Sequence, residues 1–265
     1  MATEQFNFSN GAAYERYMGI WSQLVGEAFL DWLAPGPGLR WLDVGCGNGA
    51  FTDLVVARSR PNSVQGIDPS EGQLAYARTR FSPSLVQFRQ GDAMAQPFPD
   101  STFDVAVMPL VIFFVPDPGK GVSEMTRVVC PGGMVTAYAW DMVGEGFPYE
   151  SLLAEIRTMG IPVPVEPSRD ASRLDVMQGL WAGAGLSQVE SRVFVVDRTF
   201  ADFDDYWTTI LGSPSVGSIL TAMSSENIAH LQGRIRERLP KDADGRITYA
   251  ARANAIKGRV APAGK

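Results

Sequence analysis

The sequence predicts a doubly wound α/β fold: a mostly parallel seven-stranded sheet with helices on both faces, an N-terminal helical segment and helical lid insertions after strands five and six. Three observations predict it. From Leu39 to Trp140, short apolar runs alternate with amphipathic segments, the rhythm of right-handed βαβ units around a parallel sheet. A bare glycine turn, GCGNG at 45–49, joins the first apolar run to the first amphipathic segment. The 265 residues, 45% hydrophobic and 20% charged, suffice for one sizeable core with an elaboration.

Taken in order, Ala13 to Leu33 sets Tyr17, Ile20, Trp21, Leu24, Val25, Phe29 and Trp32 at helical spacing, and PGPG at 35–38 ends that leading helix or helix pair. Strands follow at 40–44, 64–68, 85–89, 103–108 and 133–140, with helices near 49–59, 71–80 and 119–129 between them. After Trp140 the rhythm stops. Residues 142–170 are rich in Gly and Pro around one short helix at 149–159, which reads as an inserted lid. A helix at 172–184 and a strand at 188–197 return to the sheet, a helical insertion occupies 201–239, and 245–257 supplies the last strand. The expected division is a helical cap at 1–38, a ligand-binding core at 39–141, a lid at 142–171, a core helix and strand at 172–200, a helical insertion at 201–240 and a closing strand and tail at 241–265.

Charge and cysteine content narrow the function. With 23 basic and 29 acidic residues the formal charge is −6, so no global positive field is available to hold nucleic acid or an anionic membrane. Cys46 and Cys130 sit in no CxxC or Cys/His cluster, so neither a metal site nor a disulfide framework is expected. A signal sequence and a spanning segment are both lacking, and the expected compartment is the cytoplasm.

Glycines between a strand and a helix let a ligand approach the backbone and the free N–H groups of the helix start. The run Gly45-Cys46-Gly47-Asn48-Gly49-Ala50, with Asp68 after the next strand, satisfies even the dinucleotide fingerprint. Asp43 separates the ligands. A carboxylate two residues before the first glycine would repel a pyrophosphate. It suits S-adenosylmethionine, which has a ribose for Asp68 but an ammonium and a sulfonium in place of the diphosphate. As a structural alternative, Asp43 caps loop amides.

WLDVGCGNG at 41–49 resembles the first motif of the class I S-adenosylmethionine-dependent methyltransferases. VQGIDPSEGQLAYAR, FRQGDAM and the stretch from FDVAVMPL to CPGGMV are similar to that family's later motifs in order and spacing. The resemblance runs from about 39 to 140 and is nearest to the ubiquinone/menaquinone-type, small-molecule subgroup. It implies a Rossmann-like sheet with S-adenosylmethionine as cofactor and S-adenosylhomocysteine as product. By position, Gly45, Cys46, Gly47, Asn48 and Gly49 would lie against the methionine moiety and Asp43 would orient its ammonium. Asp68 would accept both ribose hydroxyls. Pro69 and Ser70 would border the adenine, Asp92 would receive its amine, and Ala93 and Met94 would pack on the ring. Met108, Pro109 and Leu110 would floor the pocket, with Tyr17 and Trp21 closing over it. Tyr17 and Trp21 equally suit packing of the helix on the core, and so does Met108.

Methyl transfer from a sulfonium asks the protein mainly to align the reactants and exclude water, so a general base is optional. VIFFVPDP carries Phe113 and Phe114 where quinone-type relatives often have a histidine pair, and the sole histidine, His230, lies in the second insertion. Phe113, Phe114, Trp140 and Tyr206 are the expected acceptor pocket, with Tyr138, Phe147, Tyr149 and Trp207 nearby in the pattern. Tyr138, Asp141, Glu145 and Tyr206 are the available proton acceptors, none singled out. The walls suit a small apolar, aromatic or amine acceptor. Two other readings stand beside this one: a protein that binds the cofactor without transferring the methyl group, and a nicotinamide oxidoreductase.

Overall fold

The computed structural model describes residues 15–213 and 216–262; the first part of the expected cap, 1–14, lies outside them. A π-helical turn, Glu15–Gly19, leads into α1 (Ile20–Leu33). Trp21, Val25, Phe29 and Leu33 recur every fourth residue and are buried, which is the stripe that docks this helix on the sheet. The stripe stops at Ala34, which takes a left-handed conformation before PGPG.

The expected alternation is found. β1 (Arg40–Val44), α2 (Ala50–Ser59), β2 (Ser63–Asp68), α3 (Glu71–Arg78) and β3 (Val86–Gln90) form one half. β4 (Phe103–Pro109), α4 (Pro118–Val128) and β5 (Val129–Trp140) start the other. Caps explain two of the helix starts. Ser70 accepts from the Gln73 amide ahead of α3, and Asp117 accepts from the Lys120 amide ahead of α4, whose first residue is Pro118.

Beyond β5 come α5 (Glu150–Thr158), a 3-10 turn at Arg169–Ser172, α6 (Leu174–Gly183) and β6 (Ser187–Phe200). The second insertion resolves into α7 (Phe203–Leu211), α8 (Val216–Ala222) and α9 (Ser225–Arg238), and β7 (Ile247–Arg259) closes the sheet. The strand order is β3-β2-β1-β4-β5-β7-β6, with β7 antiparallel to both neighbours and the other pairings parallel. The order reverses between β1 and β4. In such sheets the ligand crevice opens at the carboxyl ends of the strands flanking that switch.

Three strands outrun their sequence boundaries by two residues or more at one end. β5 begins at Val129 rather than 133, because a register shift lets Val129 pair with Phe103 before Met134 pairs with Val105. β6 and β7 extend to Phe200 and Arg259 as one long antiparallel pair. Their inward positions share the face of Tyr138 and Trp140, which α1 covers through Phe29, 4.6 Å from the Tyr138 ring. Met108 lies on the opposite face, under α4: a Cβ at Gly121 would meet its Cε at 3.6 Å. No helix among the described residues is long and apolar enough to cross a membrane.

Candidate active site at the carboxyl ends of the strands

β1 ends in a loop whose three glycines all have positive φ: Gly45 +75°, Gly47 +51° and Gly49 +81°. L-residues with a Cβ avoid that region, which accounts for glycine at every second position. Their surroundings differ. A Cβ at Gly45 would lie 2.5 Å from Val111 Cγ2, so this glycine admits the segment that leaves β4. A Cβ at Gly47 would meet nothing within 4 Å, so this glycine leaves an open cradle on the loop surface. Gly45 and Cys46 donate their amides to Ile67 O, tying the loop to the end of β2. The Cys46 side chain is buried in the core, and burial pushes its thiol up, so only its backbone is presented to a ligand.

Asp43, on β1, is completely buried. Its Oδ2 accepts the Thr52 hydroxyl at 2.6 Å, and its Oδ1 has no hydrogen-bond partner. Burial pushes this carboxyl up to about 7; the Thr52 bond opposes the rise and the charge of Asp68 adds to it. A sealed carboxylate with an orphaned oxygen is costly unless a cation or donor meets it. The residues present therefore fit an ammonium-bearing ligand. A pyrophosphate at the same place would add repulsion.

Asp68, at the end of β2, spans two neighbouring segments: Oδ2 accepts from the Gly47 amide at 2.9 Å and Oδ1 from the Ser70 amide at 2.8 Å. Burial raises its pKa, and the two amides oppose the rise. Each oxygen keeps acceptor capacity for a ligand hydroxyl. Pro69 is exposed beside it, its carbonyl accepting from Gln90 Nε2. After β3, exposed Asp92 accepts from the Met94 amide at 2.8 Å, with Ala93 and Met94 half-buried beside it. At the end of β4, Pro109 leads to Leu110, a non-glycine residue at φ +58°, whose amide donates to Tyr138 O at 2.7 Å. This strained turn redirects the chain from the strand toward the glycine loop, where Val111 meets Gly45.

The aromatic residues form two groups. Phe113 and Phe114 pack on each other at 4.6 Å in the 3-10 turn Ile112–Phe114. Tyr17, Trp21, Trp140 and Tyr206 gather elsewhere, with Tyr149, Phe200 and Tyr249: Tyr17 stacks on Tyr149 at 4.4 Å, and Trp21 lies 6.3 Å from Trp140 and 5.3 Å from Tyr249. Tyr206 joins through Phe200 at 5.2 Å and Tyr249 at 6.2 Å. Sequence had divided these residues between cofactor and acceptor; the fold brings them into one cluster. Trp140 and Tyr206 are only 1% exposed.

Residues 42–137 match the family model of the methyltransferase domain. The match runs from β1 to β5, and the chain is similar to a methyltransferase domain over that segment. The chain is similar to the demethylmenaquinone methyltransferase of Desulfitobacterium hafniense, at 40% identity over 106 residues, 38% of this chain and 42% of that protein. It is also similar to the ubiquinone/menaquinone biosynthesis C-methyltransferase of Roseobacter denitrificans, at 36% identity over 115 residues, 42% of this chain and 46% of that protein. The chain thus spans less than half the length of these curated relatives in each match. Among solved structures, phosphoethanolamine N-methyltransferase 2 of Haemonchus contortus in complex with S-adenosyl-L-methionine has a TM-score of 0.60 at 20% identity, covering 98% of this chain and 58% of that one. At that identity the likeness is one of fold.

Sequence reasoning missed four residues at this end of the sheet. Thr52 carried a weak signal, a hydroxyl on the first turn of the helix after the loop. Val111 carried none, since only the folded turn sets it against Gly45. Arg198 and Tyr249 were legible in part: in RVFVVDRTF, period-two alternation puts Arg198 on the face of Phe194, Val196 and Phe200, and all four are buried.

Proposed function

We propose that this protein transfers a methyl group from S-adenosylmethionine to a small apolar, aromatic or amine acceptor by in-line displacement. The observation that carries the reading is the buried Asp43 with one oxygen unpaired, beside a glycine loop held in the left-handed region. When bound, S-adenosylmethionine supplies an electrophilic methyl group on a sulfonium leaving group. The residues divide the binding work. Asp43 holds the ammonium, and Gly45, Cys46, Gly47, Asn48 and Gly49 take the methionine moiety along their backbone. Asp68 accepts the ribose hydroxyls, already aligned by its bonds to Gly47 and Ser70. Asp92, Ala93 and Pro69 border the adenine, and the backbone of Met108 and Pro109 closes the floor.

Segments outside the central sheet cover the strand ends: the turn bearing Tyr17, the start of α5 with Tyr149, and α7 with Tyr206. We assign them the exclusion of water from the reacting atoms. With no histidine in the aromatic turn at 112–114, alignment and desolvation carry the catalysis. The planar walls favour a flat acceptor, in keeping with the quinone substrates named for the relatives. The charge of −6 supports a free small molecule in the cytoplasm over nucleic acid or a membrane as partner.

Calorimetric titration with S-adenosylmethionine, S-adenosylhomocysteine and NAD tests the reading. Micromolar binding of both sulfur nucleosides without NAD is expected, followed by radiolabel transfer into small metabolites of a cell extract. NAD binding alone overturns it. Binding without transfer to any small-molecule fraction leaves a cofactor-binding protein that does not catalyse.

A further inference from the structure

Arg198 is 6% exposed and makes no ion pair among the described residues. Its Nη1 donates to Tyr17 O and to the Tyr149 hydroxyl, each at 3.4 Å, and its Cζ sits 4.3 Å from the Phe200 ring centroid. Nε is buried without a partner, and Nη2 makes no hydrogen bond among the described residues. The unused edge of the guanidinium, Nε with Nη2, has the two-donor geometry that matches a carboxylate. Three more buried polar atoms in the same cluster lack partners: Trp21 Nε1, Trp140 Nε1 and the Tyr249 hydroxyl. Trp21 Nε1 faces the Tyr149 hydroxyl closely enough to favour its phenolate, yet without hydrogen-bonding geometry. Four neighbouring orphans, every one able to donate, are unusual in a folded interior.

No acid among the described residues answers them. Asp205, whose charge reaches Tyr149, is exposed and accepts from the Ala201 amide. Asp197 points to the outer face of β6 and is exposed. The place is suited to substrate. Trp140 pairs with Ala253, whereas Arg198 pairs with Tyr249 further along β7, so the guanidinium stands beyond the end of β5 at the crevice side of the sheet. The surrounding rings are flat and apolar, with Phe200 stacked on Tyr249 at 15° between planes.

We infer that Arg198 is a substrate-specificity residue: with the indole N–H groups of Trp21 and Trp140 and the Tyr249 hydroxyl, it binds a carboxylate on the methyl acceptor, which is a flat apolar acid. The inference rests on the methyl-transfer reading for the identity of the ligand as acceptor. Elements bearing Tyr17, Tyr149 and Tyr206 cover the group, so entry of the acid requires them to part.

The test titrates the full chain, loaded with S-adenosylhomocysteine, against three pairs: benzoate and benzamide, 2-naphthoate and 2-naphthamide, indole-3-acetate and indole-3-acetamide. At least one acid is expected to bind tenfold or more tighter than its amide. Arg198→Met should erase that preference while S-adenosylhomocysteine affinity stays within twofold, and Arg198→Lys should keep the charge but only part of the preference. Without acid, Arg198→Met should melt no lower than the wild type, because it removes an unpaired buried charge; an arginine that merely braces the fold would melt lower when lost. Equal binding of acid and amide in every pair, with S-adenosylhomocysteine bound, overturns the inference. Failure of S-adenosylhomocysteine to bind instead strikes the methyl-transfer reading, and the same pairs on the unloaded chain then decide Arg198 alone.

Discussion

Thr52 donates its hydroxyl to Asp43 Oδ2 at 2.6 Å, and this is the only hydrogen bond that the described residues give to the Asp43 side chain. A single neutral donor is a poor match for a completely buried carboxylate. Its rise to about 7 records the shortfall. On the proposed reading, the ammonium of the ligand supplies the partner that Thr52 does not.

The first prediction follows from the sign of that shift. An acid raised in the folded state keeps a proton that the unfolded chain has already released, between the ordinary aspartate value near 4 and about 7. Stability of the ligand-free protein should fall as pH rises through that window and level off above it. Asp68, also raised, acts in the same direction. Stabilisation by S-adenosylhomocysteine should instead grow from pH 5 to 7 and then flatten, since its ammonium needs the ionised carboxylate. Melting curves with and without ligand at pH 5, 6, 7 and 8 check both trends. In Asp43→Asn the pH dependence should shrink and affinity fall at least tenfold; a ligand shift that is flat with pH in the wild type would remove Asp43 from the site.

Gly45→Ala and Gly47→Ala should separate fold from binding. At Gly45 the new methyl would lie 2.5 Å from Val111 Cγ2, in addition to the strain of φ +75°, so a marked loss of stability is expected. At Gly47 only the backbone strain applies, on the order of 1–2 kcal/mol, because nothing lies within 4 Å of the added atom. That atom occupies the open cradle. Gly47→Ala should therefore fold and lose most of its cofactor affinity, which calorimetry on a protein with a near-normal melting transition would detect.

How much of this was legible before folding depends on the length scale of the signal. The α/β order, the glycine loop and the positions of Asp43, Asp68 and Asp92 at or near the carboxyl ends of β1, β2 and β3 were readable because strand period and turn chemistry are local. The stripe of Trp21, Val25 and Phe29 likewise announced α1. What the chain could not disclose locally was which distant segments meet. Tyr17, Trp140 and Tyr206 come from three elements, and only the folded chain, with β6 and β7 paired, brings them into one aromatic cluster with Phe200 and Tyr249. The start of β5 was misjudged for a similar reason: PGG reads as a turn, yet the register shift keeps Val129 in the sheet.

Asp68→Ala should cost both stability and affinity. The carboxylate is the acceptor for the Gly47 and Ser70 amides, and leaving such donors unpaired costs about 1–3 kcal/mol each where water cannot replace the bond. Cofactor binding should weaken by more than tenfold. Asp68→Asn, which retains one acceptor oxygen, should recover part of the stability and less of the affinity. Unchanged affinity in the alanine variant would mean that the ribose is held elsewhere.

The two insertions are joined by an asymmetric ion cluster, and the asymmetry is testable. Glu155 on α5 is 2% exposed in its side chain, whereas its partners on α9, Arg234 at 3.0 Å and Arg238 at 2.5 Å, are 45% and 50% exposed. Removing the glutamate frees two arginines that can re-enter water, so Glu155→Ala should cost about 2 kcal/mol, comparable to loss of a charged hydrogen-bond pair. Removing both arginines strands a buried carboxylate, and the Arg234→Met/Arg238→Met double variant should cost more, roughly 3–5 kcal/mol before any neutralisation of the acid. Denaturant titration at neutral pH ranks the variants. If the cluster also holds the lid shut, both variants should speed proteolysis between α7 and α9 while leaving S-adenosylhomocysteine affinity within a few-fold, because Asp43, Asp68 and the glycine loop belong to the sheet and not to the insertions.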